Sequence, residues 1–516
     1  MTRYGMVIDL ETCVGCHSCT IACKVSNGTP PGVHFASVIE HEVGTYPNAR
    51  REFLPVLCNH CEDAPCVDVC PTGASYKRAD GIVAVHSDVC IGCRACDTAC
   101  PYGHRHYIEP GALRTGYFND GLTKFEELKY ERWTDGTVSK CDFCMERTDQ
   151  GLQPACVETC PPISRHFGDL SDPDSNVSRL LRERESFTLL PEAGTEPRVS
   201  YLKPRSASRR IAGGAALEEA DAGAIWAAAL QGGRKGFSTG VRYIGHMGGL
   251  EAFSFYGESL GGALFVLAVI AGMWPPAVLG IGLVGLAVIA LLAHLGRPLR
   301  SWRAISRPGR SWISRGTLAI AAFIPFAVLS LLATPLREAA TFVALALAVM
   351  IAFYGGLLLR SYRAIRFWRG PFLPLGFAAQ GFASAATLLT AWIALFDRGH
   401  AASQWLPGLS LVFVLAAAAF AALHWSCAER STGVRASKER LRLGDLRKLF
   451  TWGAATSGFV VPTVALSLLW ALEPSSAGEL ATFVAVVAAA SRLWGDFAYR
   501  ATIVRAGAYE PLVPHS

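Results

Sequence analysis

The amino-acid sequence predicts a two-part chain: a small α+β domain rich in cysteine, followed by an all-α bundle of eight membrane-spanning helices. Sixteen of the seventeen cysteines lie between Cys13 and Cys160. All the long apolar runs come after residue 250. With 516 residues, the chain is too long for one ordinary domain. We expect a cysteine domain at 1–170, a polar linker at 171–245, a membrane region at 246–505 and a C-terminal tail at 506–516.

The cysteines form four groups, at 13–23, 58–70, 90–100 and 141–160. The third group, CIGCRACDTACP, is the C-x2-C-x2-C-x3-C-P run of cluster-binding ferredoxins. In such a run three thiolates hold one iron–sulfur cube and the fourth ligates the neighbouring cube. Zinc is the alternative for CxxC pairs, but a zinc site closes with four ligands and needs no third cysteine in the run. The sequence therefore predicts two ferredoxin-like units that hold four [4Fe–4S] clusters.

The spacing of the groups predicts which cysteines share a cluster. Only 20 residues separate Cys70 from Cys90, as expected inside one two-cluster unit, so groups two and three share a unit and groups one and four form the other. The predicted ligand sets are quartet a (Cys13, Cys16, Cys19, Cys160), quartet b (Cys23, Cys141, Cys144, Cys156), quartet c (Cys58, Cys61, Cys66, Cys100) and quartet d (Cys70, Cys90, Cys93, Cys96).

The first residues, MTRYGMVIDLETC, contain no apolar core after a basic start, no twin arginine and no small-residue cleavage pattern. We therefore expect no secretory signal peptide. A chain kept out of oxidising compartments keeps its thiols for metals, so disulfides are not expected.

Eight apolar runs predict eight membrane helices. They lie at about 254–273, 277–295, 316–333, 339–359, 373–396, 405–426, 449–472 and 480–498. Most are long enough to cross about 30 Å of hydrocarbon. The eighth contains Arg492 and Asp496, which stand four residues apart and are expected to pair on a helix.

The loops predict the orientation. With eight spans both chain ends lie on one side, and the three interior loops on that side carry seventeen Arg and Lys residues against two in the other loops. Basic loops stay in the cytoplasm. We expect a protein of the cytoplasmic membrane whose cysteine domain faces the cytoplasm.

The segment HLGRPLRSW begins at His294, where the second apolar run ends. Antiparallel packing would place His294 at a depth similar to Glu258 in the first run, and ionisable residues at membrane depth are candidates for function. A quinone exchanges two electrons and two protons, whereas clusters carry electrons only, so a titratable side chain must handle the protons. Arg297 could stabilise negative charge on the quinone oxygen. The sequence predicts a quinone site at these three residues; the alternative is a helix-end histidine among the lipid headgroups.

The cysteine motifs resemble a known family. Residues 1–170 resemble the four-cluster electron-transfer subunit of the dimethyl sulfoxide reductase family of molybdenum enzymes, in the blocks CNHCEDAPC, CIGCRACDTACPYG and KCDFC…CVETCP. Residues 246–505 resemble the eight-helix anchor subunit of the same family, and HLGRPLRSW is its quinol-site block. The resemblance implies two subunits fused into one chain, with His294 in quinol oxidation.

Three features depart from the family pattern. The stretch 103–140 is longer than expected, and Gly316 stands where an acidic residue is often found. The family's closing Glu…Arg pair appears with reversed order, as Arg492…Asp496. We therefore expect Glu258 to take part of the missing acidic role.

The function expected from the resemblance is that of an electron-transfer and membrane-anchor subunit. It would connect the quinone pool in the membrane lipids to a separate molybdopterin catalytic subunit of the sulfoxide reductase or sulfite dehydrogenase type, in anaerobic respiration. The alternative is the equivalent relay subunit of a membrane-linked hydrogenase or formate dehydrogenase.

A haem between His294 and His424 is not expected, because the anchor family carries none. A nucleic-acid partner is not expected either. GIGLVG at 280–285 matches a dinucleotide fingerprint but lies inside an apolar run, which favours close helix packing.

Overall fold

The structure is a computed structural model that describes residues 2–43, 47, 49–118, 121–204, 239–332, 335–471 and 478–513. The chain divides into two compact units. The first comprises 1–241 with the short segments 299–303 and 510–516, and the second comprises 242–298 and 304–509.

Within the described residues, the first unit contains one mixed four-stranded sheet and three two-stranded antiparallel sheets. Its strands are β1 (Tyr4–Asp9), β2 (Ala36–Val43), β3 (Arg50–Leu57), β4 (Ser75–Lys77), β5 (Val83–Val85), β6 (His106–Ile108), β7 (Thr137–Ser139), β8 (Arg165–Asp169), β9 (Ser186–Phe187) and β10 (Val199–Leu202). The sheet has the order β8-β1-β10-β9, with β1 and β10 parallel in the register Met6↔Val199. The two-stranded antiparallel sheets are β2–β3, β4–β5 and β6–β7.

Among the described residues, the helices of the first unit are mostly single turns beside the cysteine runs. They are α1 (Ser18–Asn27), α2 (Pro65–Asp68), α3 (Ala95–Thr98), α4 (Lys124–Tyr130), α5 (Met145–Thr148), α6 (Ala155–Glu158) and α7 (Asn176–Glu183). The glycines of CVGC and CIGC, Gly15 and Gly92, have φ values of 68° and 71°. Glycine adopts this left-handed conformation without steric cost. Each run can therefore turn sharply between two cysteines.

The polar linker was expected to begin at residue 171, but the folded domain continues beyond that residue. Residues 171–204 contain α7, β9 and β10, and β10 pairs with β1 at the centre of the sheet. The polar composition was misleading because α7 buries only Val177 and Ser178. Of the rest of the expected linker, residues 205–238 lie outside the described residues. In the predicted tail, Ala508 forms an antiparallel bridge with Tyr243.

The second unit contains, within the described residues, eight helices long and apolar enough to cross a membrane. In chain order these spans are Gly249–Ile270, Trp274–His294, Trp312–Leu331, Arg337–Ser361, Leu373–Phe396, Leu406–Cys427, Leu449–Ala471 and Gly478–Arg505. A polar helix, Thr432–Arg442, lies between the sixth and seventh. The predicted bundle of eight spans is confirmed, and the first and last spans are longer than their apolar runs because each includes polar residues.

The first span is central to the bundle, since it packs against the second, fourth, fifth and eighth spans. Its contact with the second span is close: a Cβ added at Gly261 would lie 2.6 Å from the carbonyl oxygen of Gly280. Small residues let membrane helices approach in this way. Gly280 begins GIGLVG, so helix packing accounts for that motif.

The ion pair of the eighth span differs from the prediction. Asp496 pairs with Arg500, at 2.7 Å, and also accepts a hydrogen bond from Ser384 Oγ at 2.9 Å. Arg492 instead donates to the side chain of Gln380 and the carbonyl oxygen of Gly458. The predicted Arg492–Asp496 pair is therefore wrong, because residues from neighbouring helices supply better partners. In the observed pair the acidic residue comes first, so the apparent reversal of order disappears.

Candidate iron–sulfur and quinone sites

Three small cavities in the first unit are each lined by four cysteines. One is lined by Cys13, Cys16, Cys19 and Cys160; a second by Cys58, Cys61, Cys66 and Cys100; and a third by Cys70, Cys90, Cys93 and Cys96. Each cavity takes three cysteines from one group and the fourth from another. The fold therefore brings together the same residues that the sequence assigned to quartets a, c and d.

The fourth set of cysteines is connected by an amide side chain. Asn27 Nδ2 donates hydrogen bonds to Cys23 Sγ at 3.5 Å and to Cys144 Sγ at 3.8 Å. Burial, and then the nearby thiolates of Cys156 and Cys144, raise the pKa of Cys23 far above its ordinary value. Burial and the thiolates of Cys23 and Cys156 likewise raise the pKa of Cys141. Cys23, Cys141, Cys144 and Cys156 therefore lie near one another, and they are the residues that the sequence assigned to quartet b.

Burial disfavours the thiolate form of the cysteines in the quartets. It raises the pKa of Cys93 to about 12, with Cys70 adding to the effect, and raises that of Cys156 to about 11. Thiols bind metals as thiolates, so cations must replace their protons. Four buried sulfurs around a cavity suit a cationic iron core, since soft thiolates select iron–sulfur clusters.

Buried hydrogen-bond donors without a partner also indicate an iron–sulfur cluster. Among the described residues, Asn59 Nδ2, Arg165 Nη2 and Arg94 Nε are buried nitrogen atoms that have no hydrogen-bond partner. Each residue lines a different cysteine cavity. Buried donors normally find acceptors, and sulfur atoms of a cluster accept hydrogen bonds from N–H groups. The residues present therefore fit a [4Fe–4S] cluster at these three cavities.

Neighbouring quartets lie close enough to influence one another. Arg165 is near Cys19 of quartet a and Cys156 of quartet b. Cys58 of quartet c acts electrostatically on Cys141 of quartet b. Arg105 is near sulfurs of both quartet c and quartet d. Quartet a therefore lies near quartet b, quartet b near quartet c, and quartet c near quartet d.

In the second unit, His294 is paired with an acidic residue that the sequence prediction missed. His294 Nδ1 lies 2.6 Å from Glu251 Oε1, and the side chains are only 16% and 8% exposed. Glu251 Oε2 accepts a hydrogen bond from the backbone N–H of Gly248 at 2.7 Å. The contact fixes the orientation of the imidazole and leaves Nε2 as the nitrogen that can face a ligand.

Glu258, the predicted partner, lies two turns deeper in the first span. It accepts a hydrogen bond from Ser254 Oγ at 3.2 Å, and its Oε2 atom has no partner within the described chain. Glu251 and Glu258 are seven residues apart and therefore share a helix face, but about 10 Å of rise separates them. The expected run began at 254 and so excluded Glu251; the signal that could have found it is the Gly248-x-x-Glu251 spacing of a helix start.

The structure also shows the surroundings of Arg297 and Gly316. Arg297 is half-buried, three residues beyond the end of the second span. A Cβ added at Gly316 would lie 2.1 Å from the ring of Tyr354, so the aromatic ring occupies the space that an acidic side chain would need. Glycine at 316 is thus explained by packing between the third and fourth spans.

Two comparisons with known proteins agree with this division. A family model described as 4Fe-4S dicluster domain matches residues 49–111 and 127–170, and one described as DMSO reductase anchor subunit matches residues 267–443. The chain is 43% identical to the arsenate respiratory reductase iron–sulfur subunit ArrB of Shewanella sp. (strain ANA-3), over 39% of this chain and 96% of the relative. It is 42% identical to a sulfite dehydrogenase subunit of Allochromatium vinosum, over 41% of this chain and 87% of the relative.

The chain belongs to the dimethyl sulfoxide reductase family, as an iron–sulfur subunit fused to an anchor subunit. In the fused subunit, the break in the 4Fe-4S match at 112–126 falls inside the stretch 103–140 that is longer than expected. The anchor match includes the segment from His294 to Trp302.

The two histidines considered for a haem lie in different parts of the bundle. His294 ends the second span, which packs against the first, whereas His424 is in the sixth span, which packs against the fifth and seventh. The ring of His424 lies 5.2 Å from that of Phe367. A bis-histidine haem needs two facing histidines, and this arrangement does not favour one.

Proposed function

We propose that the fused subunit carries electrons between the quinone pool and a separate molybdopterin catalytic subunit, through four [4Fe–4S] clusters held by quartets a to d. The observation that carries the proposal is the series of four cysteine quartets in the first unit. When bound, the clusters supply one-electron transfer, and closely spaced centres in a row form a relay. The anchor family and the iron–sulfur relatives support the same assignment.

The proton chemistry belongs to His294 and Glu251. A quinol releases two electrons and two protons when it is oxidised, so each electron that leaves must be matched by a proton taken up nearby. His294 Nε2 accepts a proton from the quinol hydroxyl while the Glu251 carboxylate holds Nδ1 and stabilises the positive imidazolium. Arg297 is proposed to stabilise negative charge on the quinone oxygen.

The proposed orientation places His294 and the first unit towards the cytoplasm, because basic residues concentrate in the loops on the side where the second span ends. Protons from quinol would then be released on the cytoplasmic side. If the substrate is also reduced there, the cycle builds no membrane potential. Net proton translocation by membrane vesicles during turnover would contradict this arrangement.

The catalytic partner is proposed to act on a sulfoxide, sulfite or another oxyanion. The relatives of the fused subunit include subunits named for arsenate, selenate and sulfite enzymes. A second candidate, a hydrogenase or formate dehydrogenase relay, uses the same clusters with a different terminal enzyme. Identification of the co-purifying large subunit separates the two, since a nickel hydrogenase or a formate-oxidising enzyme would replace the sulfoxide or oxyanion assignment.

Iron and sulfide analysis of the purified full-length chain tests the central proposal. Four [4Fe–4S] clusters predict about sixteen iron and sixteen sulfide per chain. Zinc without sulfide would refute it. Electron paramagnetic resonance of membranes reduced with a quinol then tests whether electrons from the lipid phase reach the clusters.

A further inference from the structure

Two arginines occupy equivalent positions in the two halves of the cysteine domain. Each follows the last cysteine of a run by five residues, in CPYGHR and CPPISR: Arg105 after Cys100 and Arg165 after Cys160. Their side chains are almost completely buried, with 4% and 1% of each residue exposed. The repetition indicates a role common to both pairs of quartets.

Arg105 lies between quartets c and d. Its Nη2 donates to Cys66 Sγ at 2.7 Å, and its Nη1 donates to Ser75 Oγ at 2.8 Å. Burial disfavours the charged form, but the thiolates of Cys66 and Cys96, one from each quartet, more than compensate and raise the pKa of Arg105. The guanidinium is therefore a permanent positive charge within reach of both sites.

Arg165 has the same relation to quartets a and b. It lines the cavity of quartet a, and the thiolates of Cys156 and Cys19 oppose the effect of burial on its charge. Its Nη1 contacts Met6 Sδ at 3.9 Å, and its Nη2 has no hydrogen-bond partner among the described residues. The free N–H groups are available to the contents of the cavity.

Neither arginine contacts an Asp or Glu side chain in the part of the chain that the structure describes. A buried cation without an anion is costly, so each must have another counter-ion. A cluster held by four thiolates is an anion, and its negative charge increases by one when it is reduced. A fixed positive charge beside it stabilises the reduced form more than the oxidised form.

We propose that Arg105 and Arg165 set the reduction potentials of the two cluster pairs, each acting on the two clusters between which it lies. The inference rests on the proposed function. One electron passes from a cluster, which is oxidised, to its neighbour, which is reduced; quinol supplies the electrons and no proton moves with them along the series. Each arginine raises the reduction potentials of both clusters of its pair together. The difference in potential between those two clusters therefore stays small.

Arg105→Gln and Arg165→Gln test the proposal by redox titration of the full-length chain, followed by electron paramagnetic resonance. Arg105→Gln should make quartets c and d harder to reduce, with at least a tenfold fall in the ratio of reduced to oxidised cluster at a fixed potential, about 59 mV for one electron. Arg165→Gln should do the same for quartets a and b only. Cys93→Ser identifies the signal of quartet d.

Two further variants separate charge from structure. Arg105→Lys keeps the charge and should keep the wild-type potentials. Arg51→Gln removes an exposed arginine that pairs with Glu40, and should change none of them. Unchanged potentials in Arg105→Gln, equal shifts in all four clusters, or loss of iron from both Arg105 variants would overturn the inference. A wild-type chain without four clusters would instead refute the proposed function.

Discussion

Replacing Glu251 with glutamine tests how His294 is held for proton transfer. The substitution keeps the size of the side chain and removes its charge, so Nδ1 of His294 loses a carboxylate at 2.6 Å. A hydrogen bond to a charged group contributes about 1.5–3 kcal/mol, and tenfold in rate corresponds to about 1.36 kcal/mol. We therefore expect quinol oxidation to slow by about 10- to 150-fold in Glu251→Gln.

The assay is the rate at which a short-chain quinol reduces the clusters, followed in membranes that contain the full-length chain. Cluster signals after reduction with dithionite serve as the check that the chain is folded and loaded. Glu258→Gln is the matched control, because Glu258 is on the same helix and its carboxylate binds Ser254. We expect a smaller effect there. A larger loss in Glu258→Gln than in Glu251→Gln would refute the assignment of Glu251.

Three other outcomes follow from the structure. His294→Ala should abolish reduction of the clusters by quinol while all four signals persist under dithionite; normal quinol oxidation would remove His294 from the mechanism. Cys93→Ser should alter the quartet d signal alone and slow electron transfer through the series, and a change in all four would contradict the grouping. Asp496→Asn leaves the buried Arg500 without its carboxylate. Breaking such a buried ion pair lowers the free energy of unfolding by about 3–5 kcal/mol. It should lower the temperature of thermal unfolding, whereas the exposed Asp397→Asn should not.

The membrane bundle could be predicted from sequence because its signal is local. A run of apolar residues long enough to cross the bilayer predicts a helix wherever its neighbours lie. Partners inside the bundle were less predictable. Arg492 and Asp496 have helical spacing, but so have Asp496 and Arg500. Contacts with neighbouring helices, among them those of Gln380 and Ser384 on the fifth span, decide between them. Sequence spacing gives the candidates for pairing, and tertiary contacts choose among them.

The sequence by itself determined the chemistry of the first unit, because the spacing of cysteines in a run is dictated by the shape of the cube that they hold. The tertiary structure decided what surrounds those sulfurs: Arg105 and Arg165 are buried between quartets, and Glu251, rather than Glu258, reaches His294. Ligand spacing is a property of one short segment, whereas the electrostatic environment of a site is the sum of charges brought together from distant parts of the chain.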